Sequence, residues 1–238
     1  MEGQAWFGKL QRVLGLRAAP QIDPNWPDWY ARYYAEAYQP TPNNTPLSDV
    51  RIIVLDAETT GLNPKRDRLL SVGGLPVVAN AVRMAEQFEA YVAAPADWKP
   101  GGSVIVHGIL PHSARYAYVK TEQLLEQLLG FLGDAVIVGH HIGFDIEMIN
   151  RALRRCGAGE LQNRVIDTVN VAKRLLPAGY WAPDKDYSLD TLARRYRIPL
   201  SDRHTALGDC YITAVLWMKL CARLGEKKGR ELLLEDVR

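Results

Sequence analysis

Cysteine is scarce. The 238 residues hold three, Cys156, Cys210 and Cys221, and none forms a CxxC pair. An odd, sparse set reads as reduced thiols in a cytoplasmic protein rather than as a disulfide framework. Long apolar runs are also missing. None approaches the ~20 residues that span a bilayer, so no membrane role is expected. The first twenty residues are mildly basic and amphipathic but lack the apolar core of a secretory signal. No internal repeat is present. Neither charge sign dominates: 29 Lys and Arg face 27 Asp and Glu, for a net charge of +2. The overall balance therefore argues neither for nor against nucleic acid, and any grip on an anion must come from a local patch. The length allows one sizeable core and fewer than three domains.

What is present divides unevenly. Residues 1–48 carry three of the six Trp, Trp6, Trp26 and Trp29. They also carry Tyr30, Tyr33, Tyr34 and Tyr38 and six prolines. This arm either packs its aromatics on the main domain or docks a partner or a second subunit, giving a homodimer. From Val50 onward strands and helices alternate, which predicts an α/β fold with a mixed sheet. RIIVLDA reads as a buried strand ended by the turn GLNPKRD. LLSVGGLPVVA and EQFEAYVAA read as antiparallel strands joined near Asn80. TEQLLEQLLGFLG is an amphipathic helix and AVIVGHH a second buried strand. FDIEMINRALRRCG is a helix closed by Gly157, and RVIDTVNVAKRLL a short strand running into a helix. SLDTLARRYR is a helix capped by Ser188, and the segment from His204 to Gly225 supplies the last long helix. Residues 49–224 form the main domain, and residues 225–238 are expected to be a short solvated helical tail.

The stretch VLDAETTG ends a greasy strand with Asp56 and Glu58. Alternation along a strand puts both carboxylates on one face, at the carboxyl end where open α/β sheets place ligands. Such a pair is half of a site for a hard divalent cation, or simply two solvated turn acids. Asp145 opens a helix directly after the strand AVIVGHH, where it also suits the helix dipole. Asp209 sits among apolar neighbours in the last helix, and an acid buried there needs a cation or a partner. His204, five residues earlier, would diverge from Asp209 on a continuous helix. It is therefore expected in the preceding loop, bent over the site or turned to solvent.

D-x-E-T-T-G at a strand end, then H-x-x-x-F-D, then H-x-A-x-x-D together resemble the DEDDh 3′–5′ exonuclease superfamily. Their order and spacing are similar to the proofreading epsilon subunits of bacterial DNA polymerase III. The resemblance covers about residues 50–224 and extends to VHGI at 106–109 and to the Asp167-Thr168 step. It implies a ribonuclease H-like mixed β-sheet flanked by helices, binding two divalent ions, Mg²⁺ or Mn²⁺. Asp56, Glu58, Asp145 and Asp209 would be the metal-binding acids and His204 the general base. Thr59 and Gly61 would lie beside the terminal nucleotide, and His107 would contact its phosphate or sugar. Asp167 is read as structural. Phe144 offers a base-stacking surface or a core side chain. Thr205, four residues before Asp209, replaces the Tyr of the DEDDy branch and so favours the His branch.

Two departures stand out. His140-His141 replaces the usual His-Asn, and Gly101-Gly102-Ser103 stands where some epsilon subunits place a Glu. The implied activity is release of nucleoside 5′-monophosphates from single-stranded 3′ ends, of DNA in preference to RNA. The alternatives are an exoribonuclease of the same superfamily and a non-catalytic nucleic-acid- or partner-binding module. Candidate phosphate contacts are Lys65, Arg66 and Arg68, then Arg151, Arg154 and Arg155, then Arg194, Arg195, Arg197 and Arg203. No long tail follows Leu224 and no clamp-binding motif is seen, so an epsilon-like nuclease outside the replicase is expected.

Overall fold

Alternation of side chains along one strand organises the molecule. In the computed structural model, which describes residues 21–38, 41–95, 98, 114–176 and 184–238, the run after Val50 forms β1, Ile52–Thr59. Ile52 and Val54 enter one apolar core, and Ile53 and Leu55 enter another. A strand buried on both faces needs a layer of helices on each.

β1 lies inside a seven-stranded mixed sheet. On one side it pairs antiparallel with β2, Leu69–Val78. Beyond Ala79 and Asn80, both in the left-handed region, the chain folds back as β3, Ala81–Val82, on β2. The expected turn at Asn80 is present, with this extra short strand inserted. β4, Phe88–Val92, then pairs antiparallel with β2, and β5, Tyr118–Val119, lies parallel to β4. On the other side of β1 lies parallel β6, Val136–Gly139, followed by parallel β7, Val165–Asp167.

Three helices cover one face: α1, Asp28–Ala37, α2, Thr121–Leu132, and α3, Gly143–Arg155. The leucine spacing of α2 buries Leu124, Leu125, Leu128 and Leu132 as its periodicity predicts. The other face carries α4, Thr168–Arg174, α5, Leu189–Arg195, and α6, Ala206–Lys228. Ser188 caps α5 by accepting from the Thr191 amide at 3.2 Å. Gly157, in the left-handed region at φ +73°, follows the end of α3 as anticipated.

The described part of the aromatic arm packs inward. Tyr30 and Tyr33 of α1 are fully buried. The Tyr30 hydroxyl donates to the Glu160 carbonyl at 2.6 Å, and the Tyr33 hydroxyl accepts from the Gln162 amide at 2.7 Å. Residues 43–47 join the other end of the fold, where the Leu47 amide donates to the Leu232 carbonyl and the Leu234 amide to the Thr45 carbonyl.

The tail does not behave as a solvated helix. α6 runs on to Lys228 and stops at left-handed Gly229. Residues 232–237 then turn back under the core, with Leu234 and Val237 fully buried. Asp236 fixes the turn through a two-pronged contact with Arg230, at 2.8 and 3.0 Å. The apolar triplet Leu232–Leu234 drives this burial. Leu234→Ala should therefore lower unfolding free energy by about 2–5 kcal/mol, the usual cost of emptying a leucine site in a core. Urea denaturation followed by circular dichroism measures it, and a change within experimental error contradicts the packing described.

Candidate active site

The first two acids reach the site by strand parity. Asp56 and Glu58 continue the side of β1 that carries Ile52 and Val54, the side that α6 covers. Opposite Asp56 in the sheet stands Gly73 of β2, and opposite Glu58 stands Ser71. A Cβ at Gly73 would lie 2.7 Å from the backbone carbon of Ala206. Only a bare backbone lets the first turn of α6 rest there. That seating is reinforced by Cys210, whose thiol donates to the Gly73 carbonyl at 3.3 Å. It brings Asp209 to the strand end, where ligand oxygens of Asp56, Glu58 and Asp209 all lie within 4.8 Å of one another.

Asp145 arrives from the other face. It stands in the first turn of α3, is buried, and its Oδ1 accepts from the Ala57 amide at 3.2 Å. It is outside the cluster of three but close enough to act on it electrically. Burial first, then the charges of Asp145, Asp209 and Glu58, hold the Asp56 carboxyl well above its ordinary range. Burial, Asp209 and Asp145 push the Glu58 carboxyl up to about 8. Burial raises the Asp145 carboxyl to about 7, against backbone hydrogen bonds that favour its charge. Three close carboxylates that resist ionisation are what a cation relieves. One atom marks the place: Asp209 Oδ1 is buried and has no hydrogen-bond partner among the described residues. The donors are all oxygens, which suits a hard divalent ion.

His204 lies in the loop before α6, as expected, with Thr205 as the helix cap. It is half-exposed. It does not join the three-acid cluster. Thr59 is buried with its hydroxyl donating to the Gly61 carbonyl at 2.8 Å, so it braces the turn. Gly61 presses on Asp67, whose carboxylate a Cβ would meet at 2.7 Å. Phe144 is half-buried and packs against the core on the α3 face. His107 lies outside the described residues. Asp167 has the structural place foreseen for it: its Oδ1 accepts from the Val169 and His141 amides at 2.9 and 3.2 Å. His140 contacts Thr168 at 2.8 Å, and burial lowers its imidazole to about 4.

Of the proposed phosphate contacts, Arg203 is spent internally. Its Nε donates to Asp190 Oδ1 at 2.6 Å and its Nη1 to Asp209 Oδ2. Asp190 carried no signal in the sequence, because an acid in the first turn of a helix looks like ordinary dipole compensation. Gly73 was visible only as the Gly-Gly step in β2. Arg151 and Arg154 are paired with Glu147, and Arg154 also with Glu160. Arg155 instead feels mainly burial and the positive charges of Arg68, Arg151 and Arg154, leaving a basic patch that joins α3 to the loop after β1.

Residues 53–216 match the profile of the RNase T family, described as exonuclease. The chain belongs to that exonuclease family. A PolC-type DNA polymerase III of Halalkalibacterium halodurans is 30% identical over 191 residues, 80% of this chain and 12% of the relative. The DNA polymerase III subunit epsilon of Rickettsia felis is 29% identical over 179 residues, 73% of this chain and 75% of the relative. The chain thus spans about an eighth of the PolC-type relatives and three quarters of the epsilon subunit. E. coli exonuclease I, solved in complex with a dT13 oligonucleotide, superposes with a TM-score of 0.64 at 22% identity, over 76% of this chain and 43% of that one. The fold is thus the ribonuclease H-like α/β fold expected for this family. Among the described residues, no helix is long and apolar enough to cross a membrane.

The raised carboxyls have a thermodynamic sign. Glu58 and Asp145 titrate near 8 and 7 in the folded chain, against ordinary values of 4.5 and 3.8. The folded state therefore keeps protons that the unfolded chain has lost between those limits. Their stabilisation is complete below about pH 4 and disappears as pH rises through about 7 to 8. Metal-free protein should show a falling Tm across this window, and Mg²⁺ should raise Tm most at its upper end. Glu58→Gln should flatten the metal-free slope. Scanning calorimetry in chelator decides it, and a Tm that climbs with pH there contradicts the assignment.

Proposed function

We infer that this chain is a metal-dependent 3′–5′ exonuclease that removes nucleoside 5′-monophosphates from single-stranded DNA 3′ ends. The observation that carries this reading is the meeting of Asp56, Glu58 and Asp209 at one strand end, with a buried Asp209 oxygen left unpartnered. The polymerase relatives and the oligonucleotide-bound neighbour support DNA as the substrate.

Asp56, Glu58 and Asp209 would hold divalent ions, with Asp145 completing the set from α3. Two such ions, Mg²⁺ or Mn²⁺, would supply Lewis-acid charge that acidifies a water and stabilises a leaving oxygen. His204 takes a proton from that water, whose oxygen bonds to the terminal phosphorus while the bond to the 3′ oxygen of the next nucleotide breaks. The 3′ oxygen leaves and takes a proton from solvent, and the products are a 5′-mononucleotide and a strand one residue shorter. The loop at Thr59–Gly61 presents backbone beside the terminal nucleotide, His107 meets its phosphate or sugar, and Phe144 offers its ring edge to the base. The patch of Arg68 and Arg155 holds phosphates further along the strand.

End-labelled DNA and RNA oligonucleotides of matched sequence, with and without chelator, test the reading. Wild type should release 5′-mononucleotides from DNA only when a divalent ion is present. His204→Ala should lower kcat by roughly 10²–10⁴-fold, the usual worth of a general base, and Asp56→Ala should abolish release. Cleavage of a circular strand, faster attack on RNA, or full activity of Asp56→Ala would each overturn it. Binding to single strands should also weaken with salt, by about 0.7 in the logarithmic slope for each phosphate held. Arg155→Ala should reduce that slope, and an unchanged slope removes the patch from the substrate path.

A further inference from the structure

We propose that Arg203 is a positioning residue for the metal centre. Anchored on Asp190, its guanidinium holds one oxygen of Asp209 so that the other faces Asp56 and Glu58, and it pins the loop that carries His204. The inference rests on the functional reading above, in which Asp209 is a metal ligand.

The geometry is specific. The Arg203 side chain is only 20% exposed and that of Asp209 only 10%. Nε reaches Asp190 on α5 and Nη1 reaches Asp209 Oδ2 on α6, so one planar fork ties two helices through the loop between them. A carboxylate turns easily about its last torsion. Fixing Oδ2 therefore fixes Oδ1, the oxygen that is buried without a partner among the described residues, on a carboxylate that joins the other acids.

The same side chain stabilises a costly backbone. Asp202 and His204, on either side of Arg203, are both left-handed, at φ +56° and +64°. Non-glycine residues rarely adopt that region, and they persist there where the surroundings over-determine them. Here the surroundings are close. A Cβ at Gly208 would lie 2.0 Å from the Asp202 carbonyl, and the Thr205 hydroxyl donates to that carbonyl at 2.8 Å. Arg203 is the side chain that ties this loop to both helices, so the place of His204 and the aim of Asp209 depend on one guanidinium.

A rival role has the opposite sign. If Arg203 were a plug standing in for the cation, removing it would tighten metal binding. If it aims a ligand, removing it weakens binding. Aiming is favoured because Arg203 occupies only Oδ2 and leaves Oδ1 open to a cation.

The test uses the full chain titrated with Mn²⁺ alone by isothermal calorimetry, with circular dichroism to check folding and steady-state kinetics on a DNA oligonucleotide. Arg203→Ala should weaken Mn²⁺ binding by about 10–100-fold, the range typical when a group that orients a metal ligand is lost. It should lower kcat with little change in KM, whereas a phosphate-gripping arginine would raise KM. Arg203→Lys should recover part of the affinity, because an ammonium reaches one carboxylate but cannot bridge both as the fork does. Asp190→Asn should weaken binding in the same direction by less. Unchanged or tighter Mn²⁺ binding, or a KM effect alone, overturns the proposal. If Arg203→Ala does not fold, Arg203→Lys and Asp190→Asn are judged against wild type by the same affinity criterion. Wild type that binds Mn²⁺ yet releases no nucleotide would defeat the exonuclease reading and leave the role of Arg203 standing.

Discussion

The site depends on a contact in which no side chain takes part. The first turn of α6 rests on the backbone of β2 at Gly73, where a single added carbon would lie 2.7 Å from Ala206. That approach sets the depth of α6 against the sheet, and depth decides whether Asp209 meets the acids of β1. The thiol of Cys210 and the tight fit of Gly208 against the Asp202 carbonyl reinforce the same seating. The cluster is built of acids, but their meeting is arranged by glycines.

Gathering negative charge opposes folding, and the protein handles that opposition locally. Each carboxylate has a different compensation. Asp145 leans on a backbone amide, and Asp209 shares an oxygen with Arg203. Asp56 and Glu58 are held towards their protonated forms, with Arg203 the positive charge that opposes this at both. A cation bound by such carboxyls would displace their protons, so metal binding and proton release would be coupled. The charge is gathered at one strand end, while two apolar cores secure the rest of the fold.

Much of this was legible in the sequence, for a physical reason. Strand parity forces Asp56 and Glu58 to one side without knowledge of the fold. A buried helix with one acid in it advertises a partner, and the three motifs in order identified the family and with it the sheet. Contacts made only by packing were not legible. Asp190 and Arg203 are thirteen residues apart on separate elements, and nothing local distinguishes them from surface charges. The tail was misjudged because its charged stretch around Lys227 and Lys228 hid the apolar triplet that follows. The inward packing of Tyr30 and Tyr33 was one of two readings the aromatic content allowed, and the choice between them came from carbonyl and amide partners some 130 residues away.

The segment of residues 43–47 runs beside residues 232–235, joined by an isolated bridge between Pro46 and Leu233. This seam lies near the start of β1, about 20 Å along the strand from Glu58 at the spacing of extended chain. The last described residues are therefore clasped to the chain just ahead of β1, at the end of the sheet remote from the acids. Such a clasp closes the fold away from the cleft, so the terminal segment adds to its firmness without crowding the carboxylates.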